Sequence, residues 1–214
     1  MKYYLFDFDG TLVDSMPDYG ASMTRILDEQ GITYGSDIVK IITPLGASGT
    51  ADYYISLGVK LSKEEIMATM SKYLLEAYAN RIPAKAHVPE VLQALKEKGA
   101  SLNVLTASPH LNLDVCLKRL GMYDIFDNVW SCDDFGTGKS NPEIYKMAAE
   151  RLGTTVDQVL FLDDNLNADK AAKAAGMRVC GVFDESSREY IQEMKEATDY
   201  YIYDFTELLQ EAFQ

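Results

Sequence analysis

Short apolar runs recur along the chain, and each is bounded by turn-forming or charged residues. Runs that are apolar throughout, with no polar alternation, are typical of strands buried on both faces of a parallel sheet. The pattern predicts four such strands, a weaker fifth and a sixth near residue 200. The predicted limits are 3–6, 102–105, 159–162 and 178–182 for the four, and 129–131 and 200–203 for the other two.

Helical patterns separate these runs. Apolar residues recur every three or four positions over 88–99, 112–122, 141–153 and 167–177, and a glycine closes each segment. Asn141 is the predicted N-cap of the third helix, and Pro142 is its predicted first residue. Strands that alternate with helices in this way indicate an α/β fold with a Rossmann-like, doubly wound parallel sheet.

Residues 15–84 differ from the rest of the chain, because they contain helical patterns and no convincing strand. Several glycines divide this segment, and Pro83 follows its last helical pattern. We interpret the segment as an all-helical cap domain inserted after the first strand. The predicted organisation is therefore an α/β core formed by residues 1–14 and 85–214, with the helical cap at 15–84.

The acidic composition narrows the range of partners. The formal net charge is −13, from 33 acidic and 20 basic residues, which argues against binding to nucleic acid or to an anionic membrane surface. No apolar run approaches the ~20 residues of a membrane span, and no signal peptide is expected. The 3 cysteines are widely spaced without a CxxC pair, as expected for free thiols in a reducing cytoplasm. We expect a cytoplasmic monomer.

Two aspartates end the first predicted strand, in the segment DFDGT. In an extended strand residues two apart project to the same side, so the carboxylates of Asp7 and Asp9 face one spot. Open α/β sheets bind ligands at this end of their strands. Two carboxylates this close repel each other, so a cation, a proton or a ligand has to offset them. The alternative is a solvated strand end, since aspartate is common in turns.

A second acidic pair, Asp163 and Asp164, ends another predicted strand in the segment FLDDNLNAD. If the two strand ends lie side by side, three or four carboxylates converge, and such a group suits Mg²⁺, a hard cation that prefers oxygen ligands. The alternative is helix capping by Asp164, Asn165 or Asn167. The presence of both acidic pairs in one chain favours the metal interpretation.

Two further segments contain groups that suit a phosphate. Thr106 follows a predicted strand, and the turn that it opens with Ala107 and Ser108 offers hydroxyls and backbone N–H groups. Lys139 precedes the helix that begins near residue 141, and its ammonium can neutralise a phosphoryl group or a nucleophile. The alternatives are a local turn at Thr106 and an exposed surface lysine at 139.

These segments occur in the order DFDGTLVDS, LNVLTAS, GKSNPEIY and LDDNLNADKAAKAAGM, each after a predicted strand. In this order they resemble the four motifs of the haloacid dehalogenase-like phosphatases, and the resemblance spans nearly the whole chain. The phosphoglycolate phosphatase and beta-phosphoglucomutase branches are most similar in pattern, because they have a helical cap inserted after the first motif. The resemblance implies a Mg²⁺-dependent hydrolase that acts on a small phosphorylated metabolite.

The resemblance also implies a role for each motif residue. Asp7 corresponds to the nucleophile that accepts the phosphoryl group, and Asp9 to the general acid and base, whose backbone carbonyl also contributes to the metal site. Thr106 and Lys139 correspond to the pair that holds the phosphate. Asp164 corresponds to the second carboxylate ligand of Mg²⁺, so the implied metal set is Asp7, Asp9 and Asp164.

The fourth motif departs from the family pattern. Many relatives read GDSxxD where this chain has DDNLNAD, with Asp163 as an acidic companion to Asp164. Ala168 occupies the place where the later aspartate is often found, and Asp169 lies one position further on. Whether Asp163, Asn167 or Asp169 contributes to the metal site is therefore open from the sequence.

Substrate choice is expected to depend on the cap, in particular on Met16, Tyr19, Pro44, Gly46 and Ser48. No arginine occurs in the cap segment PLGASGTADYY, so a neutral sugar or polyol phosphate is at least as plausible as phosphoglycolate. Two alternatives stay open. A mutase of the beta-phosphoglucomutase type typically has a histidine and an arginine in the cap that are not evident here. A catalytically silent binding protein on the same scaffold is the other alternative.

Overall fold

A computed structural model describes residues 2–213, apart from the side chain of Pro44. The chain divides into two compact units. The first is formed by Met1–Asp14 together with Pro83–Gln214, and the second by Ser15–Ile82. Pro83 and Ala84 therefore fall in the first unit, two residues before the predicted boundary.

The first unit contains a single sheet of six strands, and all its described neighbours pair in parallel. The order across the sheet is β3-β2-β1-β4-β5-β6, so β1 is a central strand. The strands β2 and β3 are added on one side of β1, and β4, β5 and β6 are added on the other side. All six predicted strands are confirmed to within a residue or two. They are β1 (Tyr3–Phe6), β2 (Ser101–Thr106), β3 (Asn128–Ser131), β4 (Val159–Asp163), β5 (Arg178–Val182) and β6 (Tyr200–Ile202).

Nine α-helices lie within the described residues. The second unit contains four of them and no strand, and the first unit contains the other five. They are α1 (Met16–Glu29), α2 (Ile38–Ile42), α3 (Gly46–Ser56), α4 (Lys63–Asn80), α5 (Val88–Glu97), α6 (His110–Arg119), α7 (Glu143–Arg151), α8 (Leu166–Ala175) and α9 (Ile191–Ala197).

The start of α7 differs slightly from the prediction. The helix begins at Glu143, so Pro142 is the N-cap residue rather than the first helical residue. Asn141 still contributes to the helix start, because its Oδ1 accepts a hydrogen bond from the Glu143 backbone N–H at 3.0 Å. Proline has no backbone N–H, so Pro142 leaves no unpaired donor at the start of the helix.

Apolar side chains cover both faces of the sheet, as expected for a doubly wound fold. On one face Leu5 packs in a cluster with Phe161 and with residues of α7 and α8. On the other face the Phe6 ring stacks on Phe205, with their centroids 6.2 Å apart. Burial on both faces explains why β1 is a continuous apolar run, and it fixes where the chain leaves the sheet at Asp7.

The second unit has a separate core. Its buried cluster includes Met23 and Ile26 of α1, Tyr54 of α3 and Ile66 of α4. The Tyr54 hydroxyl donates to the Met23 carbonyl at 2.8 Å, so the one buried polar group of that side chain is paired. Ser62 and Glu65 form a capping box at the start of α4.

All three cysteines are free, as the sequence predicts, and all three are buried. Among the described residues, no helix is both long enough and apolar enough to cross a bilayer.

Candidate active site

The first acidic pair lies where β1 ends. The Asp7 backbone N–H donates to the Leu162 carbonyl at 2.8 Å, which continues the β1–β4 pairing to the start of the turn. Gly10 then has φ = +77°, a backbone angle that residues other than glycine rarely adopt. Its N–H donates to the Val13 carbonyl at 2.9 Å. The turn thus leaves Asp7 fixed by the sheet and Asp9 in the loop that follows.

Three buried carboxylates converge at this point. Asp7, Asp163 and Asp164 each offer an oxygen, and these oxygens lie within 4.8 Å of one another. The parallel register accounts for this, because Phe6 pairs with Leu162 and the residues after them leave neighbouring strands side by side. Thr11 Oγ1 donates to Asp164 Oδ1 at 3.2 Å. Three carboxylates of the two acidic pairs therefore converge as predicted, whereas the carboxylate of Asp9, predicted to face the same spot as Asp7, contacts Ser108 instead.

A single ammonium group bridges two of these carboxylates. Lys139 Nζ donates to Asp7 Oδ1 at 2.5 Å and to Asp163 Oδ2 at 2.7 Å. Only 13% of the lysine side chain is exposed, so the alternative of a surface lysine is wrong. The Tyr145 hydroxyl donates to the Lys139 carbonyl at 2.8 Å and also lies within reach of the Ala168 carbonyl, which fixes the loop against α7 and α8.

Asp9 points to a different partner. Ser108 Oγ donates to Asp9 Oδ2 at 2.5 Å, so the carboxylate of Asp9 contacts the turn after β2. In the same turn, the Ser108 backbone N–H donates to Thr106 Oγ1 at 3.1 Å. The local turn considered from the sequence is thus present, and it leaves the Thr106 hydroxyl proton available to donate. Ala107, the residue between them, is exposed.

Burial and mutual repulsion shift the pKa values of the clustered groups. Burial, opposed by the Lys139 charge and assisted by Asp163 and Asp9, raises the pKa of Asp7 to about 7. Burial and the neighbouring carboxylates raise the pKa of Asp164 well above its ordinary value. Burial alone would lower the pKa of Lys139, but Asp163 and Asp7 outweigh it and raise that pKa. Lys139 is therefore charged. Its single positive charge does not fully compensate the clustered carboxylates.

This donor set fits a hard divalent cation. The cluster contains three carboxylates and one ammonium group, which contacts two of them, so one ion of charge +2 would balance the remaining charge of the ionised carboxylates. Mg²⁺ prefers carboxylate oxygens and retains several waters, so two or three protein ligands suffice. Asp7 and Asp164 are the carboxylates best suited to hold it, because both oxygens of Asp163 already accept hydrogen bonds, one from Lys139 and the other from the Asn165 backbone N–H.

The polar residues that follow Asp164 in the fourth motif differ in burial and in hydrogen-bond partners. Asn165 caps α8 through its Oδ1, which accepts from the backbone N–H groups of Asn167 and Ala168. Asn167 is exposed. Asp169 is fully buried, and neither of its oxygens has a hydrogen-bond partner among the described residues. Burial, assisted by the nearby Asp163 and Asp164 carboxylates, raises the pKa of Asp169 well above its ordinary value.

Two residues, Asp163 and Tyr145, make contacts in the site that the sequence did not predict. Asp163 was predicted only as an acidic companion, yet it binds Lys139 and its Oδ1 accepts from the Asn165 backbone N–H at 2.8 Å. The signal was present in the sequence, because Asp163 directly precedes Asp164 at the end of the same predicted strand. Tyr145 had no signal, because one apolar position of a helix resembles another.

The residues predicted for substrate choice lie in the second unit. Gly46 and Ser48 are exposed in the first turn of α3, and Met16 and Tyr19 are half-buried in α1. The side chain of Pro44 lies outside the described residues. The part that these residues play in substrate choice stays a prediction.

Comparisons with known proteins give a consistent result. The sequence model of the haloacid dehalogenase-like hydrolases matches residues 4–182. A phosphoglycolate phosphatase of Salmonella typhi is 31% identical, over 83% of this chain and 79% of that protein. A phosphorylated carbohydrates phosphatase of Thermotoga maritima is 28% identical, over 85% of each chain.

The fold is also that of a solved structure. A Thermotoga maritima protein, solved as a candidate beta-phosphoglucomutase, superposes with a TM-score of 0.84 at 25% identity. The superposition covers 99% of each chain, so both units of this chain have counterparts there.

Proposed function

The chain belongs to the haloacid dehalogenase-like hydrolase family, and from that premise we propose that it is a Mg²⁺-dependent phosphatase of small phosphorylated metabolites. The observation that carries this proposal is the buried group of Asp7, Asp163 and Asp164 bridged by the Lys139 ammonium. The phosphatases among its relatives support the reaction class.

In the first half-reaction, a carboxylate oxygen of Asp7 attacks phosphorus and the bond to the leaving alcohol breaks. Asp9 donates a proton to the leaving oxygen, and the product on the enzyme is an aspartyl-phosphate. Lys139 orients Asp7 and favours its ionised form, because its ammonium lies 2.5 Å from Asp7 Oδ1. The Thr106 hydroxyl donates to a phosphoryl oxygen.

In the second half-reaction, water attacks phosphorus and the phosphorus–oxygen bond to Asp7 breaks. Asp9 accepts the proton of that water, which returns it to its starting state. Asp9 is suited to this exchange because its carboxylate accepts a hydrogen bond from Ser108 Oγ, whereas the carboxylate of Asp7 accepts one from the Lys139 ammonium. The two aspartates thus have different environments, as their different roles as nucleophile and as general acid and base require.

Mg²⁺ supplies charge neutralisation at the phosphoryl group, where an anionic nucleophile meets an anionic ester. Asp7 and Asp164 would hold it with their carboxylates, together with the backbone carbonyl of Asp9. Cations and oriented donors at such a centre are worth roughly 10²–10³-fold in turnover for each group removed.

Hydrolysis of p-nitrophenyl phosphate tests this function. We expect turnover that requires Mg²⁺ and disappears with a chelator. D7N and D9N should lose turnover by more than ~10²-fold. D157N, which changes an exposed aspartate of the same unit, is the matched control and should be unaffected. Absence of turnover in the unmodified protein across pH, with folding intact, would instead favour a binding protein.

The substrate class is decided by a panel of phosphate esters. The relatives act, by name, on phosphoglycolate and on phosphorylated carbohydrates. We propose a neutral sugar or polyol phosphate, because the segment around Gly46 and Ser48 contains no arginine to hold a second anionic group. Selective hydrolysis of phosphoglycolate would contradict this, and a changed preference in S48A would support a part for Ser48.

The structural neighbour also supports a second candidate, a sugar-phosphate mutase. The two reactions differ in product. A phosphatase releases inorganic phosphate and the free sugar, whereas a mutase converts one sugar phosphate into its isomer. Phosphorus NMR of a reaction with a hexose 1-phosphate separates them, and we expect inorganic phosphate as the product.

A further inference from the structure

Lys85, a lysine outside the four motifs, uses all its ammonium donors close to the Asp7, Asp163 and Asp164 cluster. Lys85 Nζ donates to the Gly10 carbonyl at 2.6 Å, to the Phe183 carbonyl at 2.6 Å and to Asp184 Oδ2 at 3.0 Å. An ammonium group has three protons, so every donor is used. Only 19% of the Lys85 side chain and 6% of the Asp184 side chain are exposed.

The first of these acceptors belongs to the turn that carries the catalytic aspartates. Gly10 lies directly against Asp164, because a Cβ built on Gly10 would lie 2.4 Å from Asp164 Oδ2. The next residue, Thr11, donates to the other oxygen of that carboxylate. The position of the Gly10 peptide therefore sets where the Asp164 carboxylate lies.

Lys85 is also tied to this turn through its backbone. Its N–H donates to the Leu12 carbonyl at 3.0 Å, and the Asp14 N–H donates to the Pro83 carbonyl at 3.0 Å. These bonds pair the segment in which the chain leaves the first unit with the segment in which it returns. The ammonium then extends the pairing to Phe183 and Asp184, directly after β5.

We propose that Lys85 is a positioning residue that fixes the Gly10 turn and, through it, the metal-binding carboxylate of Asp164. The mechanism gives Lys85 no part in the chemistry, and it contacts none of the reacting groups. A lysine suits the task because its ammonium can bind two carbonyls and a carboxylate that point to one spot from two separate segments. This inference rests on the proposed Mg²⁺ site.

The test compares K85M with two other variants. K85M keeps the length of the side chain and removes its three donors. D184N removes the charge of one acceptor but leaves the bond to Gly10. K173M breaks the surface ion pair with Asp199, 2.7 Å long, in the same unit, and serves as the control for general stability. Each protein is measured for Mg²⁺ affinity by calorimetry, for thermal midpoint and for turnover as Mg²⁺ is varied.

We expect K85M to bind Mg²⁺ ~10–100-fold more weakly, the range seen when a residue that orients a metal ligand is lost. Its turnover at saturating Mg²⁺ should recover toward that of the unmodified protein. D184N and K173M should keep their Mg²⁺ affinity within about threefold, even where the thermal midpoint falls. A merely structural role would lower the thermal midpoint of K85M without changing Mg²⁺ affinity.

Two results would overturn the inference. One is a K85M protein with unchanged Mg²⁺ affinity, and the other is an equal loss of affinity in D184N, which would assign the effect to charge and not to Gly10. Calorimetry also separates this inference from the proposed function. If the unmodified protein binds Mg²⁺ but hydrolyses no ester, the function fails while the affinity of K85M still decides the role of Lys85. If it binds no Mg²⁺, both fail.

Discussion

Replacement of Lys139 by methionine removes the ammonium group that contacts Asp7 and Asp163 in the buried cluster. Asp7 and Asp163 lose hydrogen bonds of 2.5 Å and 2.7 Å and keep their burial. Removal of one partner from a buried ion pair costs about 3–5 kcal/mol, because the remaining charge is left uncompensated. We expect K139M to lose about that much free energy of unfolding at about pH 8 without Mg²⁺.

The loss should depend on pH in a definite direction. The pKa of Asp7 is already raised to about 7 in the folded protein, and loss of the lysine raises it further. A carboxyl group with a raised folded-state pKa stabilises the fold in acid, and that contribution is lost as pH rises through the folded-state pKa. The deficit of K139M should therefore be small at about pH 5 and largest at about pH 8.

Urea unfolding at both pH values, with and without Mg²⁺, measures the stability deficit of K139M and its dependence on pH. Mg²⁺ should recover part of the lost stability at the higher pH, because it balances the same carboxylates, while turnover stays ~10²–10³-fold below that of the unmodified protein. K146M, which breaks an exposed pair with Glu143, should cost less than about 1 kcal/mol. A deficit in K139M that is equal at both pH values and insensitive to Mg²⁺ would refute the reasoning.

Three further predictions use other parts of the site. G10A should weaken Mg²⁺ binding at least ~10-fold by calorimetry, since the added Cβ would displace the Asp164 carboxylate; unchanged affinity would contradict the contact. S108A should lower kcat by roughly 3–30-fold with little change in Mg²⁺ affinity, because the hydroxyl orients Asp9; equal effects on both would argue against that role. H110Q should lower the free energy of unfolding in urea at about pH 6, and progressively less toward pH 9. Hydrogen bonds to two flanking carboxylates raise the pKa of His110, so the stability that its protonated form contributes is lost as pH rises. A change in stability that does not depend on pH would exclude this contribution.

The sheet was predictable because each strand is buried on both faces and therefore reads as a short apolar run. The N-terminal strand shows this, since Tyr4, Leu5 and Phe6 are all buried although they alternate between faces. The sequence alone does not give the strand order, which depends on pairing between residues far apart in the chain. The place of Asp7 beside Asp163 follows from that order.

The convergence of Asp7, Asp163 and Asp164 could be predicted, because acidic side chains that follow neighbouring parallel strands meet at one edge of the sheet. The comparisons confirm the family and the hydrolase class. The partners of individual side chains were not predictable. Nothing in the local sequence around Lys85 indicates that its ammonium reaches Gly10 and Asp184, since those residues lie 75 and 99 positions away.

The proposed reaction requires a phosphoryl group to reside on Asp7. Mass spectrometry of the acid-quenched enzyme, taken during turnover with Mg²⁺ and a phosphate ester, tests this directly. We predict one phosphoryl group on the peptide that contains Asp7, absent in D7N and more abundant in D9N, where its hydrolysis lacks a general base. Turnover with no such adduct at any quench time, or full turnover by D7N, would contradict the account.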